Sequence, residues 1–334
     1  MTMIIHMLRY LARRLAYQGV LLVIATVLSY LLAATALRPR AYFEVRLPPP
    51  PAVQVDRQLA ALGLDDRRPL VLRLGHWADR SLHGDLGTSI TGTPVNAEFG
   101  RRIAVSLRLL LLGTLLGTVV GVLLGAWSAV RQYRPSDRVL TVGAFLLLST
   151  PTFLLAVLLK IGALRLNAAA GRQLVPFTGE STPDLHAGML GTVGDAAGHL
   201  LLPTLSIGLI TAATYSRYQR SAMLDVLGAD YLRTAVAKGL SRRAVLLRHG
   251  LRTALVPMST FFSFGFLAVF TGATFTEKIF GWHGMGEWFI DSINNNDVNA
   301  VVAVNMFAAV TVLAASFLAD ILHAILDPRV RRRG

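Results

Sequence analysis

Six stretches of the chain are apolar and long enough to cross a membrane. A helix rises about 1.5 Å per residue, so roughly 20 apolar residues span the hydrocarbon core. The stretches are Leu15 to Leu37, Ile103 to Val130, Val139 to Leu164, Leu200 to Ser216, Leu255 to Phe275 and Ala300 to Leu322. The fourth is the least hydrophobic. The pattern predicts an all-α polytopic membrane protein of six transmembrane helices. It divides the chain into a terminus with the first span (1–37), a segment 38–102, a five-helix core (103–323) with a basic loop at 222–254, and a basic tail (324–334). The N-terminal apolar run is too long for a signal peptide and has no clear small-residue cleavage site, so it reads as an uncleaved span.

Within 38–102, "YFEVRLPPPPAVQV" reads as an extended linker. "VDRQLAALGL" and "PLVLRLGHWADRSLHG" read as helices, the second placing Leu70, Leu74, Trp77, Ala78 and Leu82 on one face. The segment is expected either to cap the span ends or to grip a partner.

Composition supports a membrane protein: 53% of the 334 residues are hydrophobic and only 16% charged, against about 25% charged in soluble domains. The net charge of +14 does not point to nucleic acid, because the arginines flank apolar blocks. Arg9, Arg13 and Arg14, then Arg131, Arg134 and Arg138, then the Arg233–Arg252 group, then Arg329, Arg331, Arg332 and Arg333 alternate onto one side. The positive-inside rule makes that side, with both termini, cytoplasmic. Anionic lipid is the matching surface partner.

Candidate chemistry is sparse. There are no cysteines, which excludes disulfides, thiolate metal sites and thiol catalysis. No G-x-x-x-x-G-K-[ST], H-E-x-x-H or G-x-S-x-G signature occurs, so no catalytic or metal-ligating residues are expected. No carboxylate sits at mid-membrane depth, which argues against an ion-coupled carrier. Arg108 and Lys160, near span ends, are expected to snorkel to headgroups. Ser149, Thr152, Ser259, Ser263 and Asn305 are polar mid-span residues that either line a wet path or bond to helix backbone. Gly113, Gly117, Gly121 and Gly125 recur every fourth residue and form a flat stripe for close helix packing, within the chain or against a second subunit.

The stretch "ADYLRTAVAKGLSRRAVLLRHGLRTALVP", Ala229 to Pro257, is the most informative. Asp230 is placed to cap a helix start. Gly239 suits a left-handed terminator after Lys238, and Ser241 can cap a second helix running to Pro257. A connector, a lipid-surface helix and a docking surface all fit. Small Thr234, Ala235 and Gly239 amid arginines favour a shape-matched protein socket over lipid.

This stretch resembles the cytoplasmic signature loop of ABC importer permeases, specifically the B-type membrane subunits of dipeptide and oligopeptide systems. "LHGDLGTSITGTPV", "EKIFGWHGMGEWFIDSINNNDV" and "ILDPRVR" are similar to other segments of that family, in the same order along nearly the whole chain. Arg233, Thr234 and Ala235 stand where the general signature has Glu-Ala-Ala, and "RIAVSLRL" lacks a Pro common in relatives. The resemblance implies a MetI-like fold and an importer of short peptides, with nickel-chelate import as the alternative cargo. Ala229 to Gly239 would be a coupling helix docking a cytoplasmic ATPase through Ala229, Asp230, Tyr231, Thr234, Ala235, Lys238, Gly239, Arg242 and Arg243. The ATPase would hold the ATP and Mg, with no cofactor in this chain. A related second permease would pair with it. An extracytoplasmic binding protein would meet Trp282, His283, Met285, Glu287 and Trp288.

Overall fold

The computed structural model describes residues 2–183 and 188–326, with side chains described throughout except at 2–11, 259–260, 262–271 and 324–326. The tail arginines and most of the "ILDPRVR" segment therefore lie outside the described residues. Among the described residues, thirteen α-helices follow one another: α1 Thr2–Ala36, α2 Pro39–Glu44, α3 Ala52–Ala61, α4 Leu70–Leu82, α5 Val95–Val130, α6 Pro135–Ser149, α7 Thr152–Ala170, α8 Met189–Leu227, α9 Asp230–Ala237, α10 Arg242–Val245, α11 Leu251–Phe280, α12 Met285–Asn294 and α13 Val298–Leu326. A π-helical turn, Leu246–Gly250, joins α10 to α11.

Among the described residues, five helical segments are long and apolar enough to span: Ala12–Ala36, Val95–Val130, Thr152–Ala170, Met189–Leu227 and Val298–His323. The Leu255–Phe275 stretch lies inside α11, where many side chains are not described. The expected third span, Val139 to Leu164, is corrected: it is two helices. Thr150 leaves helical geometry at φ −93° and ψ 120° before Pro151. Proline disfavours a helical residue before it and lacks the N–H that would continue the ladder. Hydropathy is continuous across the break, and of the two helices α7 is the one long and apolar enough to span. The chain runs on through Pro203 in α8 and Pro257 in α11 without a helix end. The expected helix stop at Pro257 is thereby corrected as well.

The chain divides into two compact units. One comprises residues 12–107 and 283–313. Its core joins Tyr30 and Ala33 of α1, Phe43, Val55, Leu59 and Leu64 of the α2–α4 region, and Val298, Val301 and Val302 of α13. Leu70, Leu74 and Trp77 pack on this core, and the rings of Tyr30 and Trp77 lie 5.2 Å apart. Leu82 is instead 87% exposed, because α4 ends there. The expected extended linker is helical at both ends: Tyr42–Glu44 belong to α2 and Ala52–Val55 to α3, and α2 opens on Pro39, whose missing N–H is harmless in a first turn.

The other unit comprises 1–11, 108–282 and 314–334. Its central contact sets the glycine stripe of α5 against α8. A Cβ at Gly117 would lie 2.7 Å from the Gly208 carbonyl oxygen, and one at Gly121 2.6 Å from that of Ala212. Gly125 faces Ser216 and Gln219 in the same way, and Gly113 faces Ile207. At Gly117, Gly121 and Gly125 these are approaches to backbone carbonyls that a side chain would block, and at Gly113 the Ile207 side chain fills the space. The stripe is therefore spent inside the chain.

Candidate functional site

The stretch between α8 and α11 is a compact projection built by local signals. Ala229, at φ −74° and ψ 136°, is the N-cap of α9 and has no side-chain cap. The expectation that Asp230 caps this helix is corrected: Asp230 is its first residue, with a fully solvated carboxylate 3.8 Å from Arg233. A carboxylate there still favours the positive end of the helix dipole. The other end closes as a Schellman motif: Gly239 N–H donates to the Val236 carbonyl at 2.9 Å and Leu240 N–H to that of Ala235 at 3.3 Å. Gly239 takes φ +90°, a conformation that side chains with a Cβ rarely adopt. Two residues on, the Ser241 hydroxyl accepts from Ala244 N–H at 3.3 Å and caps α10.

Leu232 is the one buried residue of α9. It belongs to a contact with Met223 of α8 and Gly250 of the π-turn: a Cβ at Gly250 would lie 3.3 Å from Met223 Cε and 3.9 Å from Leu232 Cδ1. Met223 in turn packs with Ala129 and Ala254, so the π-turn on which Leu232 rests lies against a cluster formed by the ends of α5, α8 and α11. The remaining surface faces outward. Tyr231, Thr234, Lys238, Gly239, Arg242 and Arg243 are exposed, and Ala229 and Ala235 are half-buried. The Thr234 hydroxyl donates back to the Asp230 carbonyl at 3.0 Å. Val236, Leu240 and Leu247 are also exposed. Sequence reasoning singles out none of these three, nor the anchor Leu232.

A buried ion pair braces the same end of the unit. Arg220 of α8 donates twice to Asp137 of α6, both at 2.8 Å. The Ser128 hydroxyl donates to the same carboxylate, and Tyr133 N–H donates at 3.0 Å. The Arg220 guanidinium holds the Asp137 carboxyl well below the usual carboxylate range, with burial opposing and Ser128 and Tyr133 assisting. The bracket fixes the α5–α6 turn to α8, and no local sequence signal announces a pair 83 residues apart.

The loop expected to receive a binding protein is mostly inward-facing. Trp282, Met285, Glu287 and Trp288 are buried, which corrects the expectation of a five-residue contact surface. Met285 N–H donates to Ser106 Oγ at 2.7 Å. Glu287 carries His283 at 2.7 Å and Arg102 at 3.8 Å. The Arg102 guanidinium also lies 5.7 Å from the Trp288 ring. His283 alone of the five is exposed; Ile293 and Asn294, further along α12, join it. The neighbouring motifs hold each other. Asp297 accepts from Ser89 Oγ, from Ile90 N–H at 3.0 Å and from Ala300 N–H at 3.1 Å. Asn299 donates to the Thr88 carbonyl at 2.9 Å. Burial pushes the Asp297 carboxyl up, and these donors hold it back. The "GDLGTSI" and "NNNDVN" segments are thus two halves of one clasp.

Three of the five expected path residues have local partners within their own unit. The Ser149 hydroxyl donates to the Phe145 carbonyl at 2.8 Å. Thr152, across the Pro151 break, packs toward Gly272. Asn305 donates to Ser29 Oγ at 2.7 Å, tying α13 to α1. Ser259 and Ser263 lie outside the described side chains. The two expected snorkelling residues have protein partners instead: Arg108 pairs with Glu180 at 2.9 Å, and Lys160 donates to the Ile279 carbonyl at 2.6 Å. No group of three His, Cys, Asp or Glu side chains suited to a metal occurs among the described residues.

Comparison with known proteins places these features. The profile described as "Binding-protein-dependent transport system inner membrane component" matches residues 121–332, which include α9 and the Asp137–Arg220 bracket. The chain is 54% identical to the oligopeptide transport system permease protein OppB of Mycobacterium tuberculosis, over 97% of this chain and 99% of that one. It is 35% identical to the oligopeptide transport system permease protein AppB of Bacillus subtilis, over 84% and 87%. It is 32% identical to the dipeptide transport system permease protein DppB of Escherichia coli, over 82% and 84%.

Proposed function

The chain belongs to the family of inner membrane components of binding-protein-dependent transport systems, and from that premise we propose that it is the permease subunit of an ATP-driven importer of short peptides. It is a multi-pass membrane protein and a transport subunit, not an enzyme by itself. The observation that carries the proposal is α9: a short helix closed by a Schellman turn and seated through one buried leucine, with most of its other residues exposed. A connector needs no such construction. A helix that must pass a push from another protein needs a closed end and a firm base; the Schellman turn closes its C-terminus and Leu232, buried beside Gly250, gives the base.

On this reading α9 lies in the cytoplasm and enters a groove of a separate ATPase subunit, with Val236, Leu240 and Tyr231 as apolar contacts and Lys238, Arg242 and Arg243 at the rim. ATP and Mg belong to that partner. Closure of the ATPase pair moves α9, and the contact with α8 and α11 carries the motion into the spans, switching access between two states. A second, related permease completes the path, and a binding protein delivers cargo from outside the membrane, with exposed His283, Ile293 and Asn294 as its contacts. The peptide cargo rests on the names of the relatives.

The test is uptake of a labelled short peptide into proteoliposomes holding this chain with its partner chains. ATP-dependent uptake is expected, with no ATP hydrolysis by this chain alone. Uptake driven by an ion gradient without ATP would overturn the reading. Gly239→Arg is expected to lower uptake about tenfold while the protein still inserts, because a side chain at φ +90° costs roughly 1–2 kcal/mol in the left-handed region. Uptake at the wild-type rate would remove α9 from the coupling path.

A further inference from the structure

The segment 38–102 holds a feature that transport does not use. A cavity of roughly 390 Å³ opens where α1 ends, lined by apolar Leu37, Leu59 and Leu64, by Arg38, Arg40 and Arg73, and by the carboxylates of Glu44 and Asp66, so that three cations face two anions. Arg40 is satisfied: it pairs with Asp56 at 2.8 Å and with Asp66 at 3.0 Å. Arg73 is not. It is only 8% exposed, it lies beside the Tyr30 hydroxyl, and its Nε–H has no partner. It makes no ion pair among the described residues. Arg38 likewise has no ion pair there. A buried charge left uncompensated is costly, and an anion that neutralises it while accepting the free N–H removes that cost.

We infer that this cavity binds an anionic phosphate group through Arg73, with Arg38 at its mouth. The position suits the chemistry. The apolar run of α1 stops at Leu37, so the cavity sits where hydrocarbon gives way to headgroups, with an apolar wall for the first carbons of an acyl chain. Guanidinium matches phosphate through paired, charge-assisted hydrogen bonds. A phospholipid headgroup and free phosphate share this chemistry, and basic pockets beside membrane helices are suited to headgroups. The inference requires that α1 span the membrane; it does not depend on cargo.

The test is native mass spectrometry of the full-length chain, delipidated and then titrated with phosphatidylglycerol or with inorganic phosphate. One retained phosphatidylglycerol is expected for the wild type. Arg73→Gln should weaken it about tenfold, Arg73→Lys less, and Arg57→Gln, an exposed position of α3 away from the cavity, not at all. Millimolar phosphate that displaces the lipid would make the free ion the occupant; lipid that resists phosphate makes it the headgroup. Should Arg73→Gln fail to accumulate, Arg73→Lys and the exposed Arg38→Gln carry the test, both expected to weaken retention. Equal retention of both probes by the wild type and these variants overturns the inference. Because bound lipid is counted without transport, this result is independent of the peptide-uptake measurement.

Discussion

Asp137→Ala is expected to destabilise the protein by about 3–5 kcal/mol, since it leaves the Arg220 guanidinium buried without its counter-charge. Both partners are largely shielded, with side chains 5% and 19% exposed. The loss extends beyond the pair: Ser128 and Tyr133 N–H lose their acceptor together, and the α5–α6 turn is no longer held on α8. The measurement is the thermal midpoint of the full-length chain in nanodiscs. The companion variant Asp137→Ala with Arg220→Leu should recover much of the loss, because replacing a whole buried pair by apolar groups is often near neutral. A midpoint unchanged by Asp137→Ala would show that the bracket bears no load. The pH dependence has a definite sign. Pairing lowers the Asp137 pKa, so its contribution is complete above the ordinary carboxylate range. It is lost only as pH falls through the lowered value. Stability should therefore be insensitive to this group near neutrality.

Val236→Asp is the second large effect, and it falls on transport instead. Val236 is 47% exposed on α9, so a polar side chain there does not disturb the Leu232 seat, and the protein should insert and unfold normally. In a docked groove the same carboxylate would be desolvated without a partner. Central interface positions of this kind cost 2 kcal/mol or more, about 30-fold in affinity. ATPase subunit recovered with the purified permease, and ATP-dependent peptide uptake, should fall together by about that factor. Uptake and recovery equal to wild type would place the contact elsewhere.

What the chain discloses in advance is mostly local. The glycine stripe announces itself by its period, and only the structure says that α8 fills it. Gly239 and Ser241 announce the end of one helix and the start of another, and both do so in the fold. Asp230 misleads because the residue before it already occupies the cap, and a first-turn carboxylate reads the same in sequence. The break at Thr150–Pro151 is hidden because hydropathy averages across a proline that lies within an otherwise unbroken apolar run. Trp282, Met285 and Trp288 read as a contact surface because aromatic and sulfur side chains serve interfaces and cores alike, and burial chooses between them. Asp137 and Arg220, like Asp297 and Ser89, join distant parts of the chain. No window of sequence contains both halves.

The central claim, that α9 seats in an ATPase subunit, has a direct test that the composition makes clean. The chain has no cysteine, so a single cysteine at Val236 reports on that site alone, and one at Val71, 77% exposed on α4 in the other unit, serves as reference. The measurement is the rate of maleimide labelling with and without the assembled ATPase. Protection at position 236 on assembly, with position 71 reacting as before, is the predicted result. Equal labelling of position 236 in the free and assembled states, with the complex shown to be intact, would contradict it.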